Sequence, residues 1–248
     1  MFRRTQLAVL GLLLALVLIA SATPTGAATD KLPDLAMARL RGFQIENTAD
    51  GRRLLRFSAI IVNVGLGAFE LAAQRSSTST PWSGQQVIFD DAGGSRSVST
   101  SAQFIFGGDG HNHWHVKDLE TYELVRSDNG VKVGTGVKSG FCFFDNYRYK
   151  LTLPGAPQSA VYTRVGCGKV GSLSLKTGLS LGWGDIYTWR LPDQYIDITG
   201  LTPGRYRLWA TADPAGWFQE GSEANNATWA ELQLTGTGVT VLSRAPNP

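Results

Sequence analysis

Six consecutive positions, 110–115, read GHNHWH and contain all three histidines of a 248-residue chain. Residues at i, i+2 and i+4 point to one side of an extended chain, whereas on a helix they diverge. His111, His113 and His115 therefore read as three imidazoles offered to one ion. On a straight strand the outer two Cα atoms would stand about 13 Å apart, near the limit for a shared ion. A bent or bulged strand end is expected, and the preceding GGDG (107–110) can supply the bend. Imidazole suits zinc, copper, nickel and iron, with affinity peaking at Cu(II). Composition alone leaves the metal open. Asp109 and Asp118 flank the motif as carboxylates able to accept a ring N–H.

Positioning such a cluster requires a rigid frame, and the rest of the chain supplies short apolar runs rather than helical periods. RLLRFSAIIVNVG (53–65), QQVIF (85–89), VKDLETYELV (116–125), GDIYTW (184–189), QYIDIT (194–199), GRYRLWATAD (204–213) and ATWAELQL (227–234) read as strands. Tyr206, Leu208 and Ala210 alternate cleanly, and Leu119, Tyr122 and Leu124 roughly. GGDG, SDNG, LPGAP, TGLTPG and GTG mark turns. With 29 glycines and no helical period, the expectation is an all-β fold, an antiparallel immunoglobulin-like β-sandwich with long loops carrying the site. STSTPWSG (77–84) and KTGLSLGWG (176–184) read as longer surface loops. EGSEANN (220–226) reads as a strand-turn device whose carboxylates and amides satisfy a tight corner.

The amino-terminal segment reads as an export signal, with Arg3 and Arg4, the apolar run LAVLGLLLALVLIA (7–20), and small residues up to Ala28. That run is shorter than the ~20 residues of a spanning helix. Residues 1–28 are expected to be a signal peptide and residues 29–248 one domain, secreted or associated with the cell envelope and without a stable membrane span once the leader is removed; an uncleaved amino-terminal anchor is the alternative reading. The net charge of +3 falls close to neutral without the leader arginines, and no basic run suits a phosphate backbone, so nucleic acid is not an expected partner. Cys142 and Cys167 allow one intramolecular pairing. In an oxidising compartment it would close a loop of about 26 residues, stabilising by roughly 3.5 kcal/mol.

The stretch GHNHWHVKDLETYELV followed by GVKSGFCFFD resembles the lysyl oxidase family, in which an H-x-H-x-H copper motif leads into a strand and a lysine precedes FC. The similarity continues through GWGDIYTWRLPDQYIDITGLTPGRYRLWATADP (182–214), with its D-x-Y, I-D-I-T and P-G-x-Y segments, into FQEGSEANNATW (218–229), and back to LLRFSAIIVNVGLGAF (54–69). The resemblance implies a Cu(II) site on His111, His113 and His115, and a lysine tyrosylquinone cofactor made from Lys138 and Tyr187. It implies a copper-dependent amine oxidase that converts primary amines, peptidyl lysine among them, to aldehydes. Molecular oxygen would be consumed and hydrogen peroxide and ammonia released.

The residue types suit that chemistry. No natural side chain is electrophilic enough to trap an amine and accept two electrons, so a cofactor must do so. Lysine can add to an oxidised ring once its amine loses a proton from a pKa near ~10.4, which serine or arginine could not do. Asp185, two residues before Tyr187 on a strand, shares its face and is the candidate base or proton shuttle. Trp114 and Trp183 read either as packing or as pocket walls. The chain has two cysteines where animal members of the family carry many more, so most of their disulfides cannot form. Two other readings of the histidines stand beside this one: a zinc hydrolase, disfavoured by the lack of a glutamate in the motif, and a non-catalytic metal-binding immunoglobulin-like cell-surface module.

Overall fold

The computed structural model describes residues 27–107 and 111–248. Nearly all of the expected leader, together with Asp109, lies outside the described residues. The strand Arg53–Asn63 organises the molecule. Leu55, Phe57, Ala59 and Ile61 face the main core, while Ile60 and Val62 pack on the opposite side with Ala36 and Ala38. An unbroken apolar run is what a strand buried on both faces requires. One end of it pairs antiparallel with Leu35–Met37 and Trp183–Tyr187, the other with Arg41–Asn47 and Tyr195–Asp197.

A five-stranded sheet lies across this strand's core face, in the order Lys132–Thr135, Glu120–Arg126, Gly204–Ala212, Ala227–Leu234, Val239–Arg244. Its two central strands alternate with period two: Tyr206, Leu208, Ala210 and Ala212, and Ala230, Leu232 and Leu234, are buried, and the residues between them are not. The inward rows join Leu55, Phe57 and Ile61 in one core, and Phe57 meets Tyr122 edge-on at 4.8 Å. This is an all-β sandwich, stabilised by roughly 1.5–3 kcal/mol for each large apolar side chain removed from water.

Two further sheets complete the frame. Phe104–Phe106, Trp114–Lys117 and Gly140–Phe141 form a small three-stranded sheet. The other contains Asp30–Lys31, Ser83–Asp90, Phe69–Gln74 and Ser174–Leu179, with Ser95–Thr100 beside Ser83–Asp90. Among the described residues there is no α-helix, the single helical segment is the 3-10 turn Arg164–Cys167, and no helix is long and apolar enough to cross a membrane. Cys142 and Cys167 form the expected disulfide, with Cα atoms 6.0 Å apart.

Three expectations need correction. The run 116–125 is two strands rather than one, broken at Asp118, whose φ is 53°; the turn lets Trp114–Lys117 and Glu120–Arg126 join different sheets. The segment 176–184 is not a surface loop, because Thr177, Leu179, Ser180, Leu181 and Trp183 are buried. Its glycines permit close approach rather than marking a loop: a Cβ on Gly178 would stand 2.2 Å from the Phe69 carbonyl oxygen. Within 77–84, Ser83 and Gly84 already belong to the strand Ser83–Asp90.

Candidate active site

Only His115 of the three histidines lies within a strand, Trp114–Lys117; His111 and His113 come from the segment leading into it. Gly107, with φ 69°, starts the bend, and its N–H donates to the His113 carbonyl at 2.9 Å. The bend brings the three rings together, with centroids 5.0 Å apart for His111–His113, 5.8 Å for His111–His115 and 4.5 Å for His113–His115. One ligand atom from each lies within 4.8 Å of the others. His115 Nδ1 is 2.8 Å from the Gly107 carbonyl oxygen, which holds the proton on that nitrogen and turns Nε2 inward, 2.9 Å from His113 Nε2. His113 and His115 are buried. This donor set fits a copper ion: three imidazoles converge, and a backbone carbonyl fixes one tautomer.

Lys138 and Tyr187, 49 positions apart in sequence, meet beside this cluster. Tyr187 ends the strand Trp183–Tyr187, paired with Ala59 of the central strand. Lys138 sits just before Gly140–Phe141, which pairs with Val116 and Lys117 immediately after His115. Lys138 Nζ stands 3.4 Å above the Tyr187 ring centroid and donates to the Gly140 carbonyl. Both residues are buried. Other neighbours hold the ring in place: Phe141 stacks on Tyr187 at 4.3 Å, and the Cys142 N–H donates to Tyr187 Oη at 3.4 Å. The His111 ring lies 6.4 Å from that of Tyr187. An amine already over the tyrosine ring, with imidazoles alongside, fits a cross-linked quinone made from the two side chains.

Two carboxyl groups face this pair. Asp185 is completely buried. Burial pushes its carboxyl well above the usual range, against an Asn146 hydrogen bond and the Lys138 charge, which pull it down. Glu120, which the sequence reasoning missed, is also buried; desolvation raises it to about 7, opposed by Tyr122 and by Lys138. Its signal was present: Glu120, Tyr122 and Leu124 share the inward register of Glu120–Arg126, where a charged residue needs a reason. Beside the rings lies a cavity of about 190 Å³, lined by His111, His113, Arg164, Asp185, Tyr187 and Leu191 among others.

The tryptophans divide. Trp183 Nε1 donates to the Pro157 carbonyl at 2.8 Å and its side chain packs inward. Trp114 donates to the Lys169 carbonyl at 2.9 Å and meets Trp82 edge-on at 5.2 Å, and the Arg75 guanidinium lies 4.7 and 4.5 Å from the two rings. Neither lines the cavity. Asp118 is exposed and placed 3.8 Å from Lys117 Nζ, on the turn that follows the histidines.

Comparison with known proteins shows what the chain is similar to. The family described as lysyl oxidase matches residues 96–243. Lysyl oxidase homolog 3A of Danio rerio is 30% identical over 185 residues, 75% of this chain and 20% of that protein. Lysyl oxidase homolog 3 of Homo sapiens is 29% identical over the same length, 75% of this chain and 19% of the relative. Protein-lysine 6-oxidase of Gallus gallus is 30% identical over 130 residues, 51% of this chain and 27% of that protein. The chain thus spans about a fifth of the length of the first two relatives. The ordered motifs, their convergence in space and the match over more than half of the sequence lead to one conclusion: the chain belongs to the lysyl oxidase family.

Proposed function

We propose that this protein is an exported copper-dependent amine oxidase that oxidatively deaminates primary amines, peptidyl lysine among them, with molecular oxygen as co-substrate. The observation that carries the reading is Lys138 Nζ placed 3.4 Å over the Tyr187 ring, beside three converging histidines. In this reading His111, His113 and His115 hold Cu(II), and Lys138 and Tyr187 are joined as lysine tyrosylquinone. Once formed, that group supplies a carbonyl that takes up a primary amine and a ring that accepts two electrons.

The chain's own residues do the rest. The cavity of about 190 Å³ lies below the ~300–1,000 Å³ of common small-molecule pockets, so it suits a small primary amine or the end of an alkylamine side chain. Asp185, in its wall and on the same face as Tyr187, holds or moves the proton at the substrate carbon next to nitrogen. Phe141 covers part of the Tyr187 ring, and Leu191 adds an apolar side to the cavity beside it. Residues 29–248 act as one catalytic unit and residues 1–28 as a signal peptide. The Cys142–Cys167 bond suits the oxidising compartment that export reaches.

The test is peptide mass spectrometry on protein produced in air with copper, asking whether the peptides bearing Lys138 and Tyr187 are covalently joined. The expected result is a cross-link in the wild type and none in Tyr187→Phe, which keeps its copper and loses amine oxidation. Separate peptides from copper-loaded wild type, or activity retained by Tyr187→Phe, would sink the assignment.

A further inference from the structure

Beside the lysine–tyrosine cross-link proposed above, on which the following rests, lies a buried ionisable group that amine oxidation leaves unused, Glu120. It opens the strand Glu120–Arg126 directly after the Asp118 turn. Two backbone hydrogen bonds tie this stretch to the segment that bears Lys138: Asp118 N–H to Ser139 O at 3.1 Å, and Gly136 N–H to Tyr122 O at 3.0 Å. The 136–140 segment therefore runs alongside 118–122, and the Lys138 charge acts on the Glu120 carboxyl.

Glu120 is 3% exposed, and neither of its side-chain oxygens accepts a hydrogen bond. The Tyr122 hydroxyl stands near enough to temper its acidity, but its hydrogen bonds are with Gln194, at 2.9 Å from Nε2 and 3.3 Å to Oε1. A buried carboxyl without a protein partner within hydrogen-bond reach is costly to hold in its charged form. The two carboxyls near Lys138 also differ in place. Asp185 lines the cavity and accepts from Asn146, whereas Glu120 does not line it. The groups acting on Glu120 are Tyr122 and Lys138, and Asp185 feels its charge in turn. A group sealed away from the cavity cannot reach a substrate carbon, but it can serve the lysine.

We propose that Glu120 accepts the proton that the Lys138 ammonium must lose before its nitrogen bonds to the Tyr187 ring, so that it acts in building the cofactor. Over the whole assembly a C–N bond forms between Lys138 Nζ and a ring carbon, and the pair loses four hydrogens and gains one oxygen. Two molecules of dioxygen are the oxidant: one places an oxygen atom on the ring and yields water, the other becomes hydrogen peroxide. The ammonium proton, released in addition, passes to the Glu120 carboxylate.

The experiment adds Cu(II) to metal-free full-length protein in air and follows the Lys138–Tyr187 cross-linked peptide by mass spectrometry over time. Wild type, Glu120→Gln and Glu120→Asp are compared, each with its copper content and circular dichroism. Glu120→Gln should bind copper normally yet cross-link roughly a hundredfold more slowly at neutral pH, recovering as the pH approaches the ordinary lysine pKa. Glu120→Asp should fall between. A merely structural glutamate would not give rescue by pH. Cross-linking by a folded Glu120→Gln at the wild-type rate overturns the proposal. Should that variant not fold, wild-type speed in Glu120→Asp at every pH overturns it instead. Absence of the cross-link in wild type is a different failure, that of the cofactor reading itself.

Discussion

The sheet built around Gly204–Ala212 and Ala227–Leu234 and the pocket around Lys138 and Tyr187 follow opposite rules. Along Gly204–Ala212, Tyr206, Leu208 and Ala210 face in, while Arg205 and Arg207 face out. In and behind the pocket, His113, His115, Glu120, Lys138 and Asp185 are all buried, and oxygens of Glu120 and Asp185 have no protein hydrogen-bond partner. The sheet gains stability at nearly every position. The pocket gives some back to hold reactive groups out of water. The two share a core through Tyr122, Phe57 and Tyr187, so the apolar region carries the polar one.

This contrast can be broken by mutation. The largest effect on stability is expected from Phe57→Ala, which empties the contact with Tyr122 and should cost about 3–5 kcal/mol in urea unfolding; a loss under about 1 kcal/mol would mean the core is not where the frame draws its strength. The pH dependence is next. The Glu120 carboxyl stands at about 7 in the fold against an ordinary value of 4.5, so folding favours its protonated form. Its contribution is complete below the ordinary value, is lost as pH rises through about 7, and is flat above. Wild type should lose roughly 3 kcal/mol more than Glu120→Gln between mildly acidic and mildly alkaline pH; parallel pH profiles of urea stability for the two proteins would contradict this. The smallest effect is expected at the exposed pair of Lys132 and Glu123, 3.0 Å apart on neighbouring strands. Lys132→Ala should shift stability by less than ~1 kcal/mol, and a larger shift would show that the sheet's outer face matters more than its inner one.

The same contrast explains what could be read from sequence. The strand Ala227–Leu234 was legible to the residue, and Gly204–Ala212 to within one, because period two is a local signal. The run 116–125 was not, since the break at Asp118 rests on a left-handed backbone in a residue other than glycine. The segment 176–184 misled because glycines that allow close packing look like glycines that mark turns. The histidines could be paired with one another from spacing alone. Lys138 and Tyr187 could not, since nothing local links residues brought together by separate sheets; only the ordered motifs of a family did so. Glu120 was overlooked because one charged residue in an inward row looks like an imperfect alternation.

The Cys142–Cys167 bond has a meaning beyond cross-linking the chain. His113 and the two sulfurs offer ligand atoms within 4.8 Å of one another, and the Cys142 N–H reaches Tyr187 Oη. Joined, the sulfurs are closed to a metal; parted, they are two thiols at the elbow of an imidazole cluster, soft donors of the kind that capture Cu(I) or zinc. One bond therefore keeps two sulfur donors out of reach of an ion at the histidines.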